Sequence, residues 1–298
     1  MRITTIDLNF LGLKGEIATY LVPHSGGVVL VDPGPESTIP TLIAGMNLLG
    51  VTEKDVTHVL LTHIHFDHAG AAGWFAQKGA QIFVHPIGAP HLLNPERLVA
   101  SASRLYGTKM DRLWGEMKPV RPENLTEVKD GLEIFAGDLR IIALHTPGHA
   151  EHHISYIYND VIFSGDVGGL RFGHHTYVRL PFVPPETNLE KWRASLGKMK
   201  EAGCGYIAPT HFGIFNDARE HIDVAERYLS DMETWLEKNM PGIQDVDTLG
   251  LRFHEFQREH CKAAGLDNGA QAMYERGGPA SFAASGLFRY WKKVRNRT

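Results

Sequence analysis

Two cysteines in 298 residues are too few for a disulfide framework. Cys204 and Cys261 are expected as buried thiols, and the cytoplasm is the default compartment. The chain has no apolar run near the roughly 18 residues that span a bilayer. Its start, "MRITTIDLNFLG", carries no long apolar segment and no small-residue cleavage site, so no signal peptide is expected. Positive charge is not in excess either. A formal net charge of −4 gives no electrostatic case for nucleic acid or an anionic membrane surface. A small-molecule substrate is expected, and a homodimer is the one self-association considered. Solenoid-spaced repeats and low-complexity segments are missing as well. What is there is a hydrophobic fraction of 43%, enough for a real core in one large domain or a domain with a small appendage. There are also 17 histidines.

Short strand-type runs recur between turn residues: "ITTIDL", "IATYLV", "GVVLVD", "HVLLTH", "QIFVH", "LRIIALH", "HISYIY", "DVIFSGD" and "GYIAPTH". Helical spacing appears in "STIPTLIAGMNLLG", where Ile39, Leu42, Ile43, Met46 and Leu49 form the apolar set, Ser37 is the expected N-cap and Gly50 the stop. Strands mixed with helices imply sheets covered by helices. Residues 89–118 have no strand pattern and read as a helical insertion, either packed as core or placed as a lid over a site. Beyond about residue 217 strands cease, and "AREHIDVAERYLSDMETWLEKNM" opens a helical extension running to residue 298. Its basic end, Arg289, Lys292, Lys293, Arg295 and Arg297, reads as a solvated helix face complementing the helix dipole.

Residues 56–74, "VTHVLLTHIHFDHAGAAGW", deliver His63, His65, Asp67 and His68 at the end of a strand-type run. Imidazole and carboxylate are the usual donors for zinc and similar ions. In an extended segment, His63 and His65 point to the same side and can grip one ion. If a helix starts at Asp67, that residue and His68 turn towards a different point, so one loop could feed two neighbouring metals. Three later strand-type runs end in His149, Asp166 and His211, and converging strand ends are where layered α/β folds build sites. Asp166, with two oxygens, suits a bridge. His145 lies four residues earlier than His149, but the Pro-Gly turn favours His149. His152, His153, His174 and His175 are expected as hydrogen-bonded or solvated loop residues.

"THIHFDHAG", "TPGH", "SGD" and "PTHFG", in that order, resemble the metal-binding motifs of the metallo-β-lactamase-fold superfamily, and "VVLVDPG" resembles its first motif. The resemblance covers residues 1–217, leaving 218–298 as the extension. It implies a four-layered αββα sandwich of two similar halves. It further implies that His63, His65 and His149 hold one metal, that Asp67, His68 and His211 hold another, and that Asp166 bridges them. Asp32 would stand behind the ligands and orient them by hydrogen bonds; its alternative reading is a turn residue before Pro33. Two divalent ions are implied, zinc first, with iron or manganese as alternatives. His65 stands where flavodiiron enzymes carry Glu, and Asp166 stands where many true β-lactamases carry Cys or Ser. The pattern is closest to glyoxalase II, the acyl-homoserine lactone lactonases and related hydrolases.

The expected function is hydrolysis of an ester, thioester or lactone by a hydroxide bridging two ions, with Asp67 both binding metal and orienting that hydroxide. Arg171, Tyr177 and Arg179, just after Asp166, are candidate contacts to an anionic or carbonyl-bearing substrate, with simple loop roles as the alternative. The competing functions are a mononuclear-iron oxidoreductase resembling persulfide dioxygenases, a phosphodiesterase, and a signalling protein that retains the metal site without catalysis.

Overall fold

The computed structural model describes residues 3–295, so Arg297 in the basic end lies outside the described residues. Alternation of apolar side chains builds two sheets. The first contains β1 (Thr4–Asp7), β2 (Ala18–His24), β3 (Gly27–Val31), β4 (Val56–Leu60), β5 (Gln81–Val84) and β6 (Leu125–Glu127), paired in that order. The second contains β7 (Glu133–Ala136), β8 (Leu139–His145), β9 (Ile154–Tyr158), β10 (Val161–Phe163) and β11 (Tyr206–Ala208), again in sequential order. Strands β3 to β6 run parallel, and so do β10 and β11.

Successive side chains of a strand face opposite ways. Ala18, Tyr20, Val22, Val29 and Val31 therefore pack between the two sheets, against Ile141, Ile154 and Tyr156. Leu21, Val28 and Leu30 point to the other side, against the helix Ile39–Leu48 and Phe75. On the far side of the second sheet, Ile162 and Ile207 pack on Trp192 and Leu196 of the helix Leu189–Glu201. The result is the αββα sandwich expected from the motifs.

The helix Ile39–Leu48 departs from expectation at its N-cap and at Leu49. A 3₁₀ turn over Glu36–Thr38 precedes it, so Thr38 occupies the N-cap position. Ser37 instead donates its hydroxyl to the Leu113 carbonyl at 2.6 Å, tying this loop to the insertion. Ile39, Leu42 and Met46 are buried, but Leu49 is exposed because the chain has already left the helix there. Gly50, at φ +72°, ends it as expected.

The insertion between β5 and β6 is three short helices, Ala89–Leu93, Glu96–Tyr106 and Met110–Trp114. Leu92, Ala102, Met110 and Trp114 bury into the core of the first half, so it is anchored by packing. From Ala218 the described chain is helical: Ala218–Asn239, Val246–Ala263, Asn268–Gly277 and Ala280–Lys293. These helices share one core with the outer face of the second sheet, through Leu229, Phe253, Tyr274 and Leu287. Arg295 in the basic end forms ion pairs with Glu190, Glu233 and Glu237, which fasten the last helix to its neighbours. No helix among the described residues is long and apolar enough to cross a membrane.

Trp192 is fully buried and donates its indole N–H to the Val167 carbonyl at 2.9 Å. Trp192→Ala is expected to cost about 3–5 kcal/mol in chemical denaturation, the range for deleting a large core aromatic. A loss below about 1 kcal/mol would show that this layer is not packed as described.

Candidate metal centre

Parallel strands end along one edge, and the loops leaving them carry the polar groups. Asp32 follows β3, and Thr62, His63 and His65 follow β4. His149 follows β8, Asp166 follows β10 and His211 follows β11. His65 has extended backbone (φ −63°, ψ 153°) and caps a one-turn helix, Phe66–Ala69, whose first turn holds Asp67 and His68. That change of direction separates His63 and His65 from Asp67 and His68. The turn before Asp166 requires glycine. Gly165 has φ +49°, and a Cβ there would stand 2.5 Å from His153 Nε2.

The seven side chains expected from the motifs meet at one place. His63 Nε2 and His149 Nε2 lie 2.9 and 3.0 Å from His65 Nδ1. Asp166 Oδ2 faces this group, 3.3 Å from His149 Nε2 and 4.0 Å from His63 Nε2. Asp166 Oδ1 faces a second group, 3.2 Å from His68 Nε2 and 3.6 Å from His211 Nε2. Asp67 Oδ2 completes that group, 3.4 Å from His211 Nε2 and 3.8 Å from His68 Nε2. One carboxylate thus presents one oxygen to each of two three-donor sets.

Hydrogen bonds behind the rings decide which nitrogen points inward. His149 Nδ1 donates to the Pro181 carbonyl and His211 Nδ1 to the Glu16 carbonyl, both at 2.8 Å. His68 Nδ1 donates to Asp32 Oδ2 at 2.7 Å. Thr62 Oγ1 donates to Asp32 Oδ2 at 2.7 Å, so it accepts from His63 Nδ1 at 3.1 Å. All four rings consequently turn Nε2 towards the centre, the nitrogen that a metal would take once it is free of its proton. Asp32 is the hub: fully buried, it also accepts from the Thr62 N–H and the Thr210 hydroxyl, at 2.8 and 2.7 Å. Its backbone is left-handed (φ +49°), an unusual conformation for a residue with a side chain, and the surrounding bonds hold it there.

The electrostatics divide the centre. Burial, reinforced by neighbouring imidazoles, pushes His63 well below the usual histidine value. Burial also lowers His65, and it lowers His149 to about 4 despite the opposing Asp166 charge. For His68 and His211, burial is outweighed by the carboxylates of Asp166 and Asp67, with Asp32 adding to His68, and both are raised. Burial would raise Asp67, but His68 and His211 hold it down to about 2. Asp166 is likewise held well below the carboxylate range. The carboxylates are therefore ionised and three imidazoles are neutral.

Divalent cations fit this donor set. Four donors at about 2.05 Å in tetrahedral geometry lie roughly 3.3 Å from one another, close to most of the separations above. His68 Nε2 and Asp166 Oδ1 are buried without a hydrogen-bond partner although 3.2 Å apart. A cation between them would satisfy both.

Other expected residues go elsewhere. Arg171 lies buried in a two-pronged pair with Asp217, at 2.6 and 2.8 Å. Arg179, 1% exposed, donates to the Tyr274 carbonyl and to Cys261 Sγ, both at 2.9 Å. Tyr177 is buried beside Tyr274 and Tyr228. These three residues fasten the extension to the sandwich and are not free to meet a substrate. His145 stays outside the centre, its Nε2 bonded to the Glu151 carbonyl at 2.9 Å. His174 is exposed and His175 half-buried. His152 is buried with Nε2 3.7 Å from Glu186.

Further groups support the centre, and two of them, His221 and Arg276, escaped the sequence reading. His153 is fully buried, bonded through Nδ1 to the Thr146 hydroxyl, and its Nε2 accepts from the Val167 N–H beside Asp166. His221 of the extension donates to the Gly168 carbonyl at 2.7 Å. Arg276, also from the extension, pairs with Glu16 at 2.8–2.9 Å, and the Glu16 carbonyl in turn receives the His211 N–H. Nothing in a single sequence marks a residue 65 positions beyond His211 as its remote support; only the ligand motifs themselves are local.

The family profile described as the metallo-beta-lactamase superfamily matches residues 14–211, and the chain belongs to that superfamily. Its fold and site therefore define a superfamily hydrolase. Among relatives, it is 26% identical to the metallo-beta-lactamase fold-containing protein ST1585 of Sulfurisphaera tokodaii, over 80% of this chain and 91% of that one. A crystal structure of ST1585 (from Sulfolobus tokodaii) superposes with a TM-score of 0.68 and 21% identity, covering 96% of this chain and 98% of that chain. An atrochrysone carboxyl ACP thioesterase of Aspergillus fumigatus is 26% identical, over 69% of this chain and 40% of its own length. A hydroxyacylglutathione hydrolase of Aeromonas hydrophila is 27% identical, over 49% of this chain and 44% of its own length. The chain thus spans less than half of these two relatives.

Zinc uptake by the metal-free protein at neutral pH is expected to release protons, because coordination requires neutral imidazole at His68 and His211. Both are raised above the ordinary value of about 6.5, so release is largest below their folded pKa and fades as pH rises through it. The buffer dependence of the calorimetric binding enthalpy measures it; zinc binding with no proton release at pH 6–7 would contradict this assignment. Arg276→Ala should weaken zinc binding by about twofold to fivefold in chelator competition, the range for losing a partly exposed ion pair, since Arg276 reaches His211 only through Glu16. Unchanged binding would show that the Glu16 pair does not support the site.

Proposed function

We propose that this protein is a dinuclear metallohydrolase that cleaves an ester-type carbonyl bond, thioesters first among them. The observation that carries this reading is Asp166, whose two oxygens face two separate donor sets at 3.2–4.0 Å. His63, His65 and His149 would hold one ion, Asp67, His68 and His211 the other, with Asp166 shared. The nitrogen-rich first set suits zinc, and the mixed second set accepts zinc, iron or manganese. Divalent ions, when bound, polarise a carbonyl and make coordinated water acidic near neutral pH.

The chain's own residues supply the rest. Asp67 is the one ligand carboxylate with appreciable exposure, its side chain 23% accessible against 6% for Asp166. Kept ionised by His68 and His211, it can accept a hydrogen bond from an incoming water and set its direction of attack. Asp32, Thr62 and Thr210 keep the His68 ring from rotating during the reaction. No serine or cysteine nucleophile is required, and neither free thiol, Cys204 or Cys261, belongs to the donor groups. Those free thiols also support a reducing, cytoplasmic setting.

The names of two relatives, one carrying an acyl-carrier-protein thioesterase and one a hydroxyacylglutathione hydrolase, support a thioester over a lactone or phosphodiester. A mononuclear-iron oxidoreductase would leave the Asp67–His68–His211 set without a cation, which counts against that alternative. Asp166→Ala and His63→Ala are each expected to lower thioester turnover more than about a hundredfold while circular dichroism stays unchanged. Undiminished turnover by either folded variant, or by protein stripped of metal, would refute the mechanism.

A further inference from the structure

Between the insertion and the extension lies a groove of about 530 Å³, within the roughly 300–1,000 Å³ typical of small-molecule sites. Leu105 forms its wall on the insertion side. Val246, Gly250 and Leu251 come from one helix of the extension, Phe282 from the last helix, and Pro184 from the sandwich loop that precedes the helix Leu189–Glu201. Leu105 and Leu251 are 54% and 74% exposed, so apolar surface stands uncovered there. Among the described residues, Asp247 and His254 are the only ionisable groups on its walls, and no lysine or arginine lines it. A carboxylate or phosphate would find no cationic partner in this groove. An uncharged aliphatic chain would find apolar walls.

Packing and chain connectivity link the walls of the groove to the donor loops. Phe282 stacks on Tyr106, ring centres 5.6 Å apart and planes at 24°. Tyr106, which ends the helix Glu96–Tyr106, packs edge-on against Trp114 at 5.2 Å, and Trp114 lies 6.1 Å from Phe66, the residue between His65 and Asp67. On the other side, Pro184 is three residues from Pro181, whose carbonyl fixes His149. A row of aromatic rings, Tyr106, Trp114 and Phe66, therefore runs from the groove to the donor loop.

Building on the thioesterase reading, we propose that this groove is the acyl-chain subsite, and that the protein takes thioesters of uncharged aliphatic acids of medium length. The carbonyl would lie at the metal centre and the chain would pass the Tyr106–Phe282 pair into the groove. The reaction balances as hydrolysis: water adds its oxygen to the carbonyl carbon, the C–S bond breaks, and the products are the carboxylic acid and the thiol.

The test uses the full-length, zinc-loaded protein and S-acyl N-acetylcysteamine thioesters from acetyl to decanoyl. The kcat/KM is expected to rise about twofold to fourfold per methylene until the groove is filled, the increment for burying a methylene in a partly open site. Leu251→Glu should lower the decanoyl-to-acetyl ratio at least about tenfold. Leu48→Glu, at a still more exposed leucine on the helix over the first sheet, should leave that ratio unchanged. The non-hydrolysable thioether S-decyl N-acetylcysteamine, followed by calorimetry, should bind the wild type and bind Leu251→Glu at least about tenfold more weakly. Thioesters cleaved without regard to chain length, together with no thioether binding, would overturn the subsite and leave the hydrolytic reading standing. Thioether binding with no thioester cleavage would keep the groove and overturn the hydrolytic reading. If Leu251→Glu instead turns a dimer into a monomer without altering the chain-length ratio, the groove is a contact between copies and the subsite is wrong.

Discussion

Five imidazoles and two carboxylates crowd together at one edge of this molecule, all but His65 and Asp67 buried from water. Such a cluster cannot be satisfied internally. Its ring nitrogens converge, and Asp166 Oδ1 and His68 Nε2 face the same space without bonding each other. Buried polar groups left in this state are costly, and cations between them remove the cost. The rest of the architecture holds that arrangement in place: the strand ends that launch the loops, the glycine turn at Gly165, and the strained backbone of Asp32.

The rigidity of the centre comes from behind it. Each inward-pointing ring among His63, His68, His149 and His211 has an oxygen behind its Nδ1, and these acceptors come from distant parts of the chain: Thr62, Asp32, Pro181 and Glu16. Asp32 joins three loops by accepting from Thr62, His68 and Thr210 at once. The extension takes part through His221 under the Asp166 loop and Arg276 on Glu16. A helical segment that reads as an appendage thus shares both a core and a hydrogen-bond network with the sandwich.

Charged residues near a site are ambiguous in sequence, and Arg171 and Arg179 show why. Both follow Asp166 closely, as a substrate-binding arginine would. Arg171 is paired with Asp217 and Arg179 with the Tyr274 carbonyl and Cys261, because the extension folds over them and removes them from solvent. Proximity along the chain said nothing about that covering. His153 is the hydrogen-bonded loop histidine that the pattern led one to expect, but only the fold shows that it is buried and braces the backbone beside Asp166.

The ligands were legible because their signal is local. His63, His65, Asp67 and His68 lie within six positions, and His149, Asp166 and His211 each terminate a strand-type run, so chain geometry alone brings their loops to one edge. The layered fold was legible for a related reason, since alternation in β2 and β3 already separates an inter-sheet face from a helix-covered face. The sequence by itself therefore determined which side chains gather and on what kind of scaffold. Only the tertiary structure decided which ring nitrogen points inward, which arginines are spent on holding the extension, and where a groove opens beside Tyr106. Those outcomes depend on contacts between residues tens to hundreds of positions apart, and no short-range pattern encodes them.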